Sequence, residues 1–273
     1  MICFPNCKIN LGLYITECRP DGYHNLETVF YPLPLKDVLE IVPAAASAMH
    51  TTGLAVAGNA TDNLVWKAWQ LLQNAYPDQV GSFDMYLHKI IPMGAGMGGG
   101  SADGAFMLRL INDTCNLQLS QETLAAYALQ LGSDCPFFIY NTPSFALGRG
   151  EQLSPVAIDL SAYTIQLICP AVHVSTAAAF GMIQPAPARF DLRQLSQLPV
   201  PAWKDHVHND FEAPVFSAHP VLASIKQQLY EQGAVYASMS GSGSTLFGIF
   251  ENGRKATIQA AGTAFQQYVL NTD

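Results

Sequence analysis

Alternation with a period of two marks the strands of this chain. Residues 83–90 run Phe83-Asp84-Met85-Tyr86-Leu87-His88-Lys89-Ile90, apolar and polar in turn, which predicts a half-buried strand. Leu11, Leu13 and Ile15 alternate with less apolar positions and predict another over residues 8–15. Pro20-Asp21-Gly22 then supplies a turn signal, so the N-terminal segment reads as a hairpin. Later strands are expected over 163–169, 234–239 and 245–250. Residues 102–111 are apolar almost all round (Ala105, Phe106, Met107, Leu108, Leu110, Ile111), the pattern of a buried helix. A further helix is expected from an N-cap at Ser120 to Leu131, stopped by Gly132. Others are expected over 220–232 and, closing the chain, near 255–269, with a proline-rich loop over 185–201. This order fits two small α+β layers better than one parallel sheet. The division is expected near Ser154-Pro155, giving domains 1–154 and 155–273.

Between the strand at 83–90 and the helix at 102–111 lies Pro92-Met93-Gly94-Ala95-Gly96-Met97-Gly98-Gly99-Gly100-Ser101. Glycine takes left-handed conformations at no steric cost and lets another group approach the main chain closely. Opening into a helix, such a loop offers unpaired N–H donors and the positive end of the helix dipole, so a phosphate is the expected guest. Ser101 is expected to cap the helix. The pattern G-x-x-x-x-G-K-[ST] fails because Gly100 stands where lysine should be. Gly94, Gly96 and Gly99 match G-x-G-x-x-G, but that fingerprint needs a second strand after the helix. Here a polar turn, Asn112 to Asn116, leads into a second helix, which excludes the dinucleotide reading.

Composition narrows the class. With 49% hydrophobic and 12% charged residues over 273 positions, the chain can bury a sizeable core. A formal net charge of −8 argues against a nucleic-acid or anionic-membrane surface. No apolar run approaches a membrane span, and the N-terminus lacks the pattern of a signal peptide. The six cysteines form no C-x-x-C pair, so neither a zinc site nor a disulfide framework is expected, and a cytoplasmic chain with reduced thiols is the simplest reading.

Other segments leave two readings open. Lys8 begins a strand, yet on its own segment a solvated lysine is the default. Tyr23 and His24 either face a ligand or merely flank a hairpin turn. Asp134, in Gly132-Ser133-Asp134-Cys135-Pro136, either caps the next turn or holds a carboxylate at a cavity wall. Met239-Ser240-Gly241-Ser242-Gly243-Ser244 is either a solvated hairpin turn or a second anion-contacting nest, and two glycine loops in one chain favour the second. His206 and His208 have no partners completing a metal site and are taken as structural or exposed. Asn209-Asp210-Phe211-Glu212 reads as a helix cap.

Taken together, the chain resembles the GHMP kinase superfamily. Three motifs in order carry the resemblance: the lysine-bearing strand from Lys8 to Leu13, the loop from Pro92 to Ser101, and the late loop from Met239 to Ser244. Narrower matches point to the branch that phosphorylates a cytidyl methylerythritol in the non-mevalonate route to isoprenoid precursors. These are Lys8-Ile9-Asn10-Leu11, Arg19-Pro20-Asp21-Gly22-Tyr23-His24, Asp62-Asn63-Leu64-Val65, Gly132 to Phe138, and Gly148-Arg149-Gly150-Glu151.

The resemblance implies an α+β fold of two domains, a ribosomal protein S5 domain 2-like N-terminal domain and a ferredoxin-like C-terminal domain, with the active site in the cleft between them. It implies ATP and Mg2+ as co-reactants, a small-molecule cytidyl substrate, and a monomer or weak homodimer. Lys8 and Asp134 would be the catalytic pair, the aspartate taking the hydroxyl proton and the lysine lowering the hydroxyl's pKa and holding the aspartate ionised. Pro92, Gly94, Gly96, Gly98, Gly99, Gly100 and Ser101, with Asn63, Leu64 and Val65, would serve ATP, and Ser101 would reach the metal through Mg-ATP. Asn10, Tyr23, His24, Thr176 and Phe180 would hold the substrate, with Tyr23 and Phe180 on opposite faces of cytosine. Three positions depart from the pattern: Ala102 replaces a second serine, Arg149 stands where valine is common, and Ser133 replaces alanine. The competing readings are another superfamily kinase, acting on mevalonate, homoserine or a sugar, and a catalytically silent nucleotide-binding relative.

Overall fold

The computed structural model describes residues 1–251, 253–260 and 262–271. In chain order it opens with strands β1 (Ile2–Cys3), β2 (Asn6–Cys18), β3 (His24–Lys36), β4 (Val38–Pro43) and β5 (Ala48–Gly53). Helix α1 (Leu64–Ala75) and strand β6 (Phe83–Lys89) precede a helical run, α2 (Gly99–Thr114), α3 (Gln121–Leu131) and α4 (Cys135–Tyr140). Then come β7 (Ser144–Leu147), β8 (Gln152–Pro155), β9 (Tyr163–Pro170), α5 (Thr176–Gly181), α6 (Trp203–His206), α7 (Glu212–Ala218) and α8 (Pro220–Glu231). The described chain ends with β10 (Tyr236–Met239), β11 (Leu246–Glu251) and β12 (Phe265–Asn271). The sequence boundary at Ser154-Pro155 falls inside β8.

Two compact units share these elements. The first takes Met1–Cys7, Leu35–Met93 and Gly98–Thr142; the second takes Lys8–Pro34, Gly94–Met97 and the chain from Pro143 onward.

In the first unit a sheet of order β1-β4-β6-β5 carries α2 and its neighbours α1, α3 and α4. β4 runs antiparallel to β6, pairing Ile41 with Met85, while β5 runs parallel to it. The strand at 83–90 and the buried helix are thus observed, and α2 hides Ala102, Ala105, Met107, Leu108, Leu110 and Ile111 together. Gly104 lets α1 lie close against α2, because a Cβ there would sit 2.9 Å from that of Leu64. α3 begins and ends as expected: the Ser120 side chain accepts from Thr123 N and Gly132 closes the helix.

A buried ionic cluster fixes both flanks of the glycine segment within this unit. Lys89, the last residue of β6, donates to Asp37 Oδ2 and, at 2.7 Å, to Asp103 Oδ2 on α2. Asp37 Oδ1 accepts from Ile90 N at 2.6 Å and Ile91 N at 2.9 Å. All three side chains are essentially buried, and Asp103 Oδ1 is left without a hydrogen-bond partner. Breaking such a cluster by removing one member strands an uncompensated charge, which costs several times more than a surface pair is worth.

The second unit holds two sheets, β2-β3-β7-β8 and β10-β11-β9-β12. β11 is antiparallel to both β9 and β10. Its core gathers Leu13, Ile15, Leu26, Ile168, Phe211, Leu222, Ile225, Leu229, Met239 and Phe250. The helix expected near 255–269 is not formed, and position 261 lies outside the described residues. Residues 254–260 take neither helix nor strand and are held by glutamine side chains: Ala256 N donates to Gln166 Oε1, Thr257 N to Gln232 Oε1 and Gln259 N to Gln228 Oε1. β12 then pairs along β9 from Phe265 to Asn271. Phe265, Tyr268 and Val269 favour a pleated surface, and the edge of β9 offers a row of main-chain groups that a helix would have left unpaired.

Burial pushes the Asp103 carboxyl from its usual 3.8 up to about 8, against the pull of Lys89 and with the push of Asp37. The folded state therefore holds a proton that the unfolded state releases between those values, so this group's contribution to stability falls as pH rises through about 8. Urea unfolding at pH 6 and pH 9 should show a loss in the wild type that Asp103→Asn lacks, bounded by about 1.4 kcal/mol per pH unit for one proton. Equal losses in both proteins would mean that Asp103 titrates normally.

Candidate functional site

In the first unit, the expected nucleotide residues cluster at two helix starts. Asn63 caps α1, its Oδ1 accepting from Val65 N at 2.9 Å, and the Val65 side chain is fully buried. Only the main chain of Val65 and the half-buried Leu64 can face a ligand there. α2 begins earlier than the sequence suggests. Gly98, left-handed at φ 70, is its N-cap, so Ser101 lies inside the first turn and does not cap it. Glycine's freedom at 98 turns the chain into the helix before any side chain intervenes. Gly99 is required by packing as well, since a Cβ would lie 2.8 Å from Ile91 Cγ2 and 3.4 Å from Lys89 Nζ. The opening N–H groups of this helix, from Gly98 to Ser101, have no partner within it. That is a cradle for an oxyanion. Pro92 is half-buried at the end of the approach to the loop.

Asp134 occupies the N-cap position of α4, but its side chain makes no capping hydrogen bond. Of the two readings, the cap is the one the geometry does not realise. The adjacent Cys135 thiol is pushed up to about 12 by burial, with a hydrogen bond from Ser101 working against it. Ser101 and the residue following Asp134 are thereby neighbours.

In the second unit, Lys8 is not solvated. It is 3% exposed, and its ammonium donates to Asn10 Oδ1 at 2.7 Å and to Gly96 O at 3.1 Å, with the Phe30 ring 5.0 Å away. The Asn10 amide is itself engaged: Nδ2 donates to Thr28 Oγ1 at 2.9 Å, and Thr28 donates on to Gly12 O. The two glycine loops meet here. Ser240 Oγ donates to Gly96 O at 2.9 Å, Lys8 N to Met97 O, and Thr245 N to Ala95 O. Gly96 has φ +80, and a Cβ on it would land on the Ser240 carbonyl. The second loop is buried, with Ser240 and Ser244 at 0% and 2% exposure, so the solvated-turn reading does not hold.

Asn209 was legible only as a helix cap. Its Oδ1 does accept from Phe211 N, but its Nδ2 also donates to Met239 O at 2.7 Å and Gly241 O at 2.9 Å, so it fastens the second loop. No spacing rule links 209 to 239. His206 and His208 serve through their carbonyls, which accept from Tyr14 Oη and Leu13 N.

The expected substrate residues lie in the same unit. Thr176 Oγ1 is 3.1 Å from Ser242 Oγ of the second loop. The Phe180 ring stacks on His24 at 4.9 Å and meets Phe211 edge-on. Tyr23 is 55% exposed and carries the Arg149 guanidinium 4.8 Å over its ring. Tyr23 and Phe180 thus each have a partner of their own within the unit, Arg149 and His24. Among the described residues, no group of three or more His, Cys, Asp or Glu could hold a metal ion alone, and no helix is long and apolar enough to cross a membrane.

The chain matches the family model described as GHMP kinases N terminal domain over residues 63–142, and that for GHMP kinases C terminal over 199–266. It is 51% identical over 251 residues to a protein of Parabacteroides distasonis named 4-diphosphocytidyl-2-C-methyl-D-erythritol kinase, covering 92% of each chain. A protein of Cytophaga hutchinsonii with the same name is 45% identical over 251 residues, again covering 92% of each. A crystal structure of 4-(cytidine 5'-diphospho)-2C-methyl-D-erythritol kinase superposes with a TM-score of 0.76 at 31% identity, covering 91% of this chain and 90% of the other. The Methanococcus jannaschii mevalonate kinase shares the fold, with a TM-score of 0.69 at 10% identity over 100% and 98% of the chains.

Two loop glycines should respond differently to a methyl group. Gly94 has φ +66 but open space around its Cβ position, so Gly94→Ala should cost about 1–2 kcal/mol from conformation alone. Gly96→Ala adds a collision with main chain that cannot swing aside, and should cost on the order of 4 kcal/mol in urea unfolding. Equal costs would show that the loops can part freely.

Proposed function

We propose that this chain, which belongs to the GHMP kinases and within them to the 4-diphosphocytidyl-2-C-methyl-D-erythritol kinase family, transfers the γ-phosphoryl group of ATP to the 2-hydroxyl of 4-diphosphocytidyl-2-C-methyl-D-erythritol. The products are the 2-phosphate and ADP. The observation that carries this reading is the setting of Lys8: a buried ammonium aimed by Asn10 and by a carbonyl of the glycine loop itself. A buried ammonium aimed in this way is suited to an oxygen that gains negative charge as it attacks.

In the proposed reaction the substrate oxygen attacks the γ-phosphorus, the bond to the β-phosphate oxygen breaks, and the hydroxyl proton passes to Asp134. Lys8 lowers the pKa of the attacking hydroxyl, and Asn10 aims Lys8 through its Oδ1 while the second N–H of its Nδ2, beyond the one on Thr28, would serve the substrate. The target is a tertiary alcohol, so positioning supplies much of the catalysis. The open glycine N–H groups fit the nucleotide's phosphates, and Pro92, Gly94, Gly96, Gly98, Gly99, Gly100 and Ser101 would hold them, with Asn63, Leu64 and Val65 beside the nucleoside. Magnesium carried on those phosphates would supply charge neutralisation for the transferring group, and Ser101 is the hydroxyl that would reach it. Tyr23, His24, Thr176 and Phe180 would seat the cytidyl group.

ADP release with ATP and magnesium, run on the cytidyl substrate beside mevalonate and homoserine, should proceed with the cytidyl substrate alone. Turnover of mevalonate or homoserine instead would overturn the substrate assignment. Asp134→Asn should lower kcat about 10²–10⁴-fold while leaving ATP affinity nearly unchanged. Parallel losses in both would make Asp134 a structural residue.

A further inference from the structure

Arg149 departs from the family pattern, and the second unit is built to present it. The turn between β7 and β8 has Gly148 at φ +71 and Gly150 at φ +108 on either side of the arginine. Gly150 N donates to Leu147 O at 3.1 Å, and Leu26 N donates to Gly148 O at 2.7 Å, tying the turn to β3. The carboxylate nearest in sequence, Glu151, is turned onto the main chain, accepting from Arg149 N at 2.6 Å. A Cβ at 148 would lie 2.8 Å from Glu151 Oε1, so glycine is what lets that carboxylate fold inward.

The guanidinium is left without a close carboxylate of its own, although Asp21, held below the usual carboxylate range chiefly by its hydrogen bond with Arg19, also feels the Arg149 charge. Among the described residues it takes part in no ion pair, whereas nearby Arg19 closes on Asp21 at 3.0 Å. Instead it lies 4.8 Å over the ring of Tyr23, next in the chain to His24 and its stack with Phe180. A guanidinium is a planar fork of N–H donors that fits phosphate oxygens bidentately. Rings for a base, with a planar cation one residue along that closes no ion pair among the described residues, match a nucleoside joined to a phosphate chain.

We propose that Arg149 is a specificity-determining residue that binds the diphosphate of a cytidine diphosphate ester, an inference that rests on the cytidyl reading above. It explains why a charged side chain stands where an aliphatic one would suffice to line the turn. It assigns Tyr23 the role of seating that guanidinium.

The test is a calorimetric titration of cytidine, CMP and CDP into the wild type, Arg149→Gln and Arg149→Lys, together with steady-state kinetics. Arg149→Gln should weaken CDP on the order of tenfold and leave cytidine unchanged, with Arg149→Lys recovering part of the loss. The same factor should appear in KM for the cytidyl substrate, with kcat and KM for ATP unmoved. Unchanged cytidine binding also reports that the variant is folded. Equal weakening of cytidine and CDP would place the effect on the base and overturn the diphosphate assignment, as would unchanged CDP binding. A wild type that turns over the cytidyl substrate beside an indifferent variant sinks the Arg149 proposal alone. A wild type that neither binds CDP nor turns that substrate over sinks the underlying reading as well.

Discussion

The main chain of Gly96 lies against the carbonyl of Ser240, with no room for a side chain between them. Much else in the second unit is arranged around that contact. The carbonyl of Gly96 accepts from both the Lys8 ammonium and the Ser240 hydroxyl. Wherever the two loops settle, they settle the lysine with them. Asn209 extends the constraint by gripping the far side of the second loop through two carbonyls. A loop rich in glycine is usually thought of as loose, but here glycine permits a contact too tight for any other residue.

Two lysines are buried, and their surroundings differ. Lys89 lies between the carboxylate of Asp37, which cancels its charge, and the protonated carboxyl of Asp103, and this cluster fastens β6 to α2. Lys8 donates to an amide oxygen and to a carbonyl of the glycine loop, which aim its ammonium. The first cluster joins a strand to a helix, and the second ties a side chain to a loop. Spacing along the chain distinguishes neither, since both lysines stand at the edge of an apolar run.

Sequence periodicity is strongest where one face of an element is buried, and there it was sufficient. The strand at 83–90, the all-round apolar α2 and the capped α3 are as their patterns require. It failed at the end of the described chain, where Phe265 to Leu270 could serve either a helix or a strand. The open edge of β9, a tertiary feature, decided the outcome. The start of α2 was misplaced for a related reason, because the rule that serine caps helices does not foresee a left-handed glycine doing so three residues earlier. At the site, the loops and Lys8 were legible because glycine runs are rare and physically specific. The aromatic pairing was not, because stacking partners are chosen in three dimensions: His24 takes Phe180, and Arg149 takes Tyr23. Asn209 was half-read, its local bond visible in the sequence and its two long-range bonds not.

The interleaving of the two units along the chain bears on how the protein is made. Residues 8–34 belong with elements that begin only at Pro143, and the first unit must be completed in between. A ribosome at its usual pace needs on the order of ten seconds to cross that interval. Throughout it the β2–β3 hairpin, with Ile9, Leu11, Leu13, Ile15, Val29 and Phe30 destined for burial, waits for β7 and for the helices that will cover it. Neither unit can be liberated as an uninterrupted stretch of polypeptide. The nascent chain therefore carries an uncovered apolar ribbon through most of its own translation, a natural client for whatever holds unfinished proteins apart.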